Sequence, residues 1–154
     1  MRHVAKFVWT AGYSGLMPIA PGTAGSLVGL GLVFSVRLFD EVWAEPALFL
    51  VVVACGVWSA NKAEDYYGRK DPGQVVIDEV AGMSLTLLWI DGSMAWIAVG
   101  FLLFRLFDVV KPFPVNQIEQ LSGGWGVIGD DLAAGLYANC TLRILMGLSV
   151  VLPV

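Results

Sequence analysis

Apolar side chains along this chain gather into five stretches, at about 25–39, 46–60, 79–90, 94–107 and 132–152. Each reads as the apolar part of a helix. None is a clean run of the roughly 20 residues that cross a bilayer as a helix. The first ends at Arg37, the third is short, and the last carries Asn139 and Arg143. Polar flanks that face protein rather than lipid can lengthen a span, so 75–90 and 94–110 are each expected to form a full helix. The small residues of "GSLVGLGL", "AVGF" and "LAAGLYA" suit close helix–helix contact in a membrane. Three polar segments, 12–26, 61–79 and 105–131, separate the stretches. With no tandem repeat, low-complexity tract or linker, the pattern predicts one all-α domain over residues 1–154, a compact multi-helical membrane bundle of about five helices.

Composition strengthens the membrane reading. Hydrophobic residues make up 57 % of the chain and charged residues 14 %, with a mean hydropathy of +0.74. A soluble domain averages roughly 45–50 % apolar and about 25 % charged, so this chain has too little charge to cover a water-facing surface. The net charge of −4 says little about partners, but nothing resembles a basic stripe, so no nucleic-acid partner is expected. Cys55 and Cys140 lie in apolar runs without metal-ligand spacing and are expected to be reduced and buried. The single histidine, His3, stands at the terminus, which argues against His-based catalysis or a His metal cage. The N-terminal "MRHVAKFVWTAGYSG" is basic but lacks the long apolar core of a removed signal peptide.

The charges between the stretches alternate in sign. Arg2 and Lys6 precede the first, and Asp40, Glu41 and Glu45 follow it. Lys62, Arg69 and Lys70 follow the second, Asp91 the third, and Arg105 and Lys111 the fourth. The positive-inside tendency then gives a cytoplasmic N-terminus and an odd number of crossings. It also places the three polar segments, and with them the active-site loops, on the cytoplasmic side.

Four constellations in those segments carry chemistry. In "GYSGLMPIAPGTAGSL", Pro18, Pro21, Gly22 and Gly25 set a stiff, turned backbone, and Thr23 and Ser26 offer hydroxyls near a helix start. That arrangement is a phosphate cradle or, more plainly, an N-cap; it lacks the lysine of a P-loop. In "DPGQVVIDEVAGM", Asp78 and Glu79 stand near a helix start, where the helix dipole favours acids. Gly82, one turn on, leaves room for a backbone or a ligand. In "FRLFDVVKPFP", Arg105, Asp108 and Lys111 recur at three-residue intervals on one helix face before Pro112 ends or bends the helix. They form a salt-bridge ladder or a metal-plus-phosphate site, with Asp108 for the ion and the two cations for phosphate oxygens. In "SGGWGVIGDDLAAGLYA", a glycine-rich loop leads into Asp130 and Asp131, with Asp130 a candidate helix cap.

Together these place five carboxylates, Asp78, Glu79, Asp108, Asp130 and Asp131, on one membrane face. Such a cluster repels itself unless a hard cation neutralises it. Mg²⁺ takes oxygen ligands and bridges to phosphates, whereas Zn²⁺ would want the absent His and Cys ligands. The chemistry supported is metal-assisted phosphoryl transfer from a lipid phosphate to water.

The strings "GLMPIAPGTAGSL", "IDEVAGM", "FRLFDVVKPFPVNQIE" and "GGWGVIGDDLAAG", in that order over residues 12 to 138, closely resemble the phosphatidylglycerophosphatase A family. The resemblance implies a Mg²⁺-dependent, multi-pass, multi-helical enzyme of the bacterial inner membrane. Its substrate would be phosphatidylglycerophosphate, whose terminal phosphate it removes to give phosphatidylglycerol. By match to the motifs, the five carboxylates form the acidic core and the metal set. Arg105 and Lys111 act in catalysis on the phosphate side, and Gly22, Thr23 and Ser26 bind the substrate phosphate. Asp78 or Asp131 is the general base, and a covalent aspartyl-phosphate is the mechanistic alternative. The segment "YYGRKDPGQVV" gives Arg69, Lys70 and Asp71 little weight. A soluble branch keeps related motifs, and the apolar content here favours the membrane branch. Two rivals stand beside this reading. One is a non-enzymatic membrane protein, such as a small ion transporter with carboxylates lining a pathway, or an assembly subunit. The other is a phosphatase for another lipid or a soluble phosphomonoester. Homo-oligomerisation is left open.

Overall fold

The computed structural model describes residues 2–151 and, among them, contains helices and no strand. In chain order these are α1 (Arg2–Trp9), a 3₁₀ turn (Ser14–Leu16), α2 (Pro21–Arg37), α3 (Ala44–Tyr67), α4 (Ile77–Leu87), α5 (Met94–Val110), α6 (Val115–Ile118) and α7 (Gly124–Val151). All five apolar stretches lie mainly on helices, the last of them ending outside the described residues, so the all-α bundle stands, with more helices among the described residues than the pattern indicated.

The additions are α1, ahead of the first polar segment, and the 3₁₀ turn and α6 within the polar segments. α1 buries Ala5 and Trp9, and the Trp9 carbonyl accepts the Val76 N–H at 2.8 Å, tying the N-terminus to the entry of α4. α2 begins at Pro21, whose fixed φ suits a first helical position. α7 begins at Gly124, well ahead of the apolar run, and its Gly124 N–H donates to Asn61 Oδ1 of α3 at 2.9 Å.

The central element is α4. Nine of its 11 residues are buried, and α2, α3, α5 and α7 all pack around it. It is shorter than the expected 75–90 helix. It is only about 16 Å long. Thr86, Leu87 and Ile90 at its C-terminal end are buried in the bundle, where unpaired carbonyls are costly. Polar side chains from neighbouring helices meet them. Asn139 Nδ2 donates to the carbonyls of Leu85, Thr86 and Leu88 at 3.0–3.1 Å. Arg143 donates to those of Leu88 and Trp89 at 2.9 and 3.1 Å, and Arg37 to those of Leu87 and Ile90 at 2.9 and 3.1 Å. Glu45 completes the cage, pairing with Arg37 Nε at 2.8 Å and accepting the Trp89 N–H at 2.8 Å. Arg37, Asn139 and Arg143, which interrupt the apolar pattern, are what end the central helix.

The chain passes the bundle five times: α2, α4 and α7 run away from one end, and α3 and α5 return to it. Large apolar side chains such as Leu27, Leu50, Val51, Leu102, Leu136 and Ile144 point outward. An exposed apolar surface of this kind marks a lipid or partner interface. Ala44–Tyr67 and Gly124–Val150 are long and apolar enough to cross a membrane. Cys55 and Cys140 are free, but both are exposed rather than buried, lying on this outer surface. An apolar run on the outside of such a bundle carries the same residue types as its core, which is why the pattern misplaced them.

Candidate active site

At the end of the bundle where α2, α4 and α7 begin and α5 finishes, a cavity of about 330 Å³ collects the chemistry. All five carboxylates line it, together with Arg105 and Lys111. The single-face gathering expected from the sequence is therefore present in space.

Three of the acids form a tight group. Oxygens of Asp78, Glu79 and Asp131 lie within 4.8 Å of one another. Asp78 and Glu79 occupy the first turn of α4, with Asp78 Oδ1 accepting the Glu79 N–H at 3.1 Å. They do not sit in water as helix-dipole acids would: Asp78 is buried and Glu79 partly so, and Asp131 beside them is buried. Asp131 reaches them because α7 crosses α4 almost backbone to backbone. A Cβ on Gly82 would stand 2.7 Å from the Asp131 carbonyl oxygen and collide with the Phe104 ring. The room expected at Gly82 is filled by a backbone. Gly82→Ala should force α7 outward and pull Asp131 from Asp78, for a loss of one to two orders of magnitude in kcat, since a misplacement of about 1 Å costs about a hundredfold. Steady-state phosphate release reads it.

The other two acids are engaged by cations. Asp108 Oδ2 pairs with Arg105 Nη1 at 2.7 Å, and the same nitrogen is 3.9 Å from Glu79 Oε1. Asp108 also lies against Asp131. Lys111 does not continue the ladder. It caps α5 with a left-handed backbone (φ 46°), and its Nζ pairs with Asp130 Oδ2 at 2.8 Å and Glu119 Oε2 at 3.1 Å. Burial pulls its ammonium down, but the bonds and charge of Asp130 and Glu119 outweigh that and hold it above its ordinary value. Asp130 caps nothing: it lies well inside α7, facing Lys111.

On the α2 side, Gly22 and Thr23 line the cavity. A side chain at Gly22 would collide with Glu79 Oε1, so glycine here lets the start of α2 approach the acid pair. As first-turn residues, Gly22 and Thr23 have N–H groups without an intrahelical partner, which suits an anion. Ser26 does not line the cavity. It is fully buried, donates to the Gly22 carbonyl at 2.9 Å, and receives Arg105 Nη1 at 3.4 Å, so it holds the cavity wall rather than facing it. Neither hydroxyl caps α2; its N-cap is Ala20, without a side-chain bond.

Asp71, given little weight in the sequence, is a sixth acid on the cavity wall. It holds a left-handed backbone at φ 42° ahead of Pro72 and Gly73. Burial raises its carboxyl above the usual range, and Lys111 works against that rise. The "DPG" turn was its only signal.

One oxygen each of Glu79, Asp130 and Asp131 is buried without a hydrogen-bond partner. Those of Glu79 and Asp131 converge with Asp78, and buried carboxylate oxygens are the donor set that a hard divalent cation takes, so the residues present fit Mg²⁺.

A helical bundle whose buried acids, two cations and open helix start face one cavity has the groups that a phosphate-handling enzyme needs. A family model described as Phosphatidylglycerophosphatase A matches residues 7–146. Among curated relatives, the Phosphatidylglycerophosphatase A of Escherichia coli K12 is 34 % identical over 126 residues, covering 80 % of this chain and 72 % of its own. That of Haemophilus influenzae is 36 % identical over 129 residues, covering 81 % and 78 %. A protein of Bacteroides thetaiotaomicron with the provisional name phosphatidylinositol-3-phosphatase is 39 % identical over 138 residues, covering 85 % and 86 %. No solved structure matches. The chain belongs to the phosphatidylglycerophosphatase A family and is a phosphatase.

Proposed function

We propose that this phosphatase hydrolyses the terminal phosphomonoester of phosphatidylglycerophosphate to phosphatidylglycerol and phosphate, with Mg²⁺ as cofactor. The observation that carries the reading is the convergence of orphaned carboxylate oxygens with Arg105 and Lys111 in one cavity at the start of α2. Glu79 and one of Asp78 and Asp131 would hold the ion, with Asp108 and Asp130 beside them. When bound, Mg²⁺ supplies positive charge to the phosphoryl oxygens and lowers the pKa of water. Arg105, spanning Glu79, Asp108 and Ser26, is placed to offset charge on those oxygens as the P–O bond breaks. Lys111 stays cationic and fixes Asp130. The N–H groups of Gly22 and Thr23 orient the phosphate. Asp78 or Asp131, whichever stands outside the ion's ligand set, takes the proton from the attacking water.

The outward apolar side chains and the distribution of charge support a multi-pass protein of the bacterial inner membrane with this cavity facing the cytoplasm. Transport is disfavoured by the far end of α4. A path along it meets the fully buried Met83, Leu87 and Phe104, then the Asn139–Arg143–Arg37 cage. The name of the Bacteroides relative favours one second reading, a phosphatase for a phosphoinositide monoester.

Purified protein with Mg²⁺ is expected to release phosphate from phosphatidylglycerophosphate, to lose that activity in EDTA, and to regain it on Mg²⁺ addition. A panel including phosphatidylinositol-3-phosphate and glycerol-3-phosphate separates the readings: preference for either would replace the proposed substrate. No release from any of them by folded protein would remove the reading altogether.

A further inference from the structure

We propose that the seam between α2 and α5 is the groove that seats an acyl chain of the lipid whose phosphate occupies the acidic cavity. The inference rests on the lipid-phosphatase reading above and adds to it where the apolar part of the substrate lies.

A cavity of about 370 Å³ opens on this seam. Leu27, Leu30 and Phe34 of α2 line one wall, and Ala98, Phe101 and Leu102 of α5 the other. No charged side chain lines it. The gap exists because α2 packs chiefly on α4, and α5 chiefly on α7, leaving the two helices apart on the outer side.

Its position relative to the acidic cavity is what assigns it. α2 begins at the acidic cavity with Gly22 and Thr23, and α5 ends there with Arg105 and Asp108. The two helices are antiparallel, so residues 27–34 and 94–102 lie side by side just beyond the site. Leu27 is about 6 Å along α2 from Thr23, and Leu102 about 4.5 Å along α5 from Arg105. From Leu27 to Phe34 the groove then runs roughly 10 Å away from the site. Arg105 Nη1 meets Ser26 Oγ at 3.4 Å across the seam, marking the junction between polar and apolar parts. One amphiphile laid along α2 and α5 would place its phosphate among the cations and acids and its chain among the leucines and phenylalanines. The cavity between α1 and α3, lined by Arg2, Trp9, Trp58 and Lys62, involves neither helix. The cavity around Arg37 and Glu45 lies at the opposite end of the bundle. A water-soluble phosphomonoester would gain nothing from the α2–α5 groove.

The test compares two substrates with the same headgroup: long-chain phosphatidylglycerophosphate in mixed micelles and its deacylated, water-soluble counterpart. Filling the groove with Ala98→Trp, or separately Leu102→Trp, should lower the ratio of kcat/KM for the lipid to that for the soluble compound at least tenfold. An unchanged ratio in both variants, whether the two rates fall together or neither falls, overturns the proposal. A measurement on the wild-type protein guards against variants that misfold. Phosphatidylglycerophosphate carrying a diazirine midway along one acyl chain, in phosphatidylcholine vesicles, should label peptides spanning 27–34 and 94–102. Unlabelled substrate, but not added phosphatidylcholine, should suppress that labelling. Labelling elsewhere, or indifference to the substrate, overturns the groove even if turnover is normal. A wild-type protein that cleaves neither substrate instead fails the underlying functional reading.

Discussion

Glu79→Gln is expected to lower kcat by about a thousandfold, the upper range for losing one preorganised electrostatic group in a closed site, while the protein stays folded. Glu79 meets both the cationic and the α2 side of the site. One of its oxygens faces Arg105 at 3.9 Å and packs against Gly22; the other is buried without a partner. The amide is nearly isosteric, so packing against Gly22 survives. What disappears is the negative charge that a cation needs and that balances Arg105. The fold should not suffer, because Glu79 sits among like charges: Asp78 follows the same helix turn and Asp108 and Asp131 are close by. Removing one charge from that group relieves repulsion in the metal-free protein, so its Tm should hold or rise. Wild-type protein at a Mg²⁺ concentration about 100 times Kd should gain about 2.7 kcal/mol from binding, and Glu79→Gln should lose most of that gain. Calorimetry with and without Mg²⁺, beside phosphate release, checks both halves. Near wild-type turnover in the variant would remove Glu79 from the site.

The second large effect is on stability, at the other end of the same helix. Asn139→Leu should cost about 3 kcal/mol, the upper end for a buried carbonyl left without its donor, because two further bonds go with it. The Thr86 carbonyl is left without a donor, while Leu85 keeps the Leu88 N–H at 3.2 Å and Leu88 keeps Arg143. Arg143 would be loosened too, since its Nε donates to Asn139 Oδ1 at 2.8 Å. Leucine suits an apolar helix by composition, so a reading of residue 139 as an interruption in a lipid-facing run predicts the opposite sign. Denaturant titration in detergent, with the exposed Ser149→Ala as control, decides between them. An Asn139→Leu protein as stable as wild type would mean that α4 ends without help from α7.

The helices were legible where an apolar run is long enough to name itself. α5 falls where the pattern put it, and α3 covers its stretch but runs on to Tyr67 into the polar segment, since nothing there competes with helix formation. The ends were less legible, because they depend on partners remote in the chain. The 75–90 expectation overran α4 at both ends for that reason: its C-terminus is defined by donors from α2 and α7, some 50 residues away in sequence. Capping roles failed similarly. Thr23, Ser26 and Asp130 have the side chains of caps, yet α2 and α7 begin at Pro21 and Gly124 and take those residues inside.

The candidate site divides along the same line. That acids, cations and a glycine-rich turn share one end of the bundle follows from the order of polar segments along the chain, because alternate connections of an up-and-down bundle return to the same face. The residue types also bound the chemistry: carboxylates without available His or Cys ligands point to a hard ion. Which acids converge is not a property of spacing. Asp78, Glu79 and Asp131 meet because Gly82 lets α7 approach α4, while Asp108 and Asp130 are drawn aside by Arg105 and Lys111. Asp71, carried on a turn, joins them only through the path of the loop before α4. Helix identity and sidedness are written in local pattern and order. The grouping of charges a few ångströms apart depends on interhelical distance, which side chains distant in sequence set together.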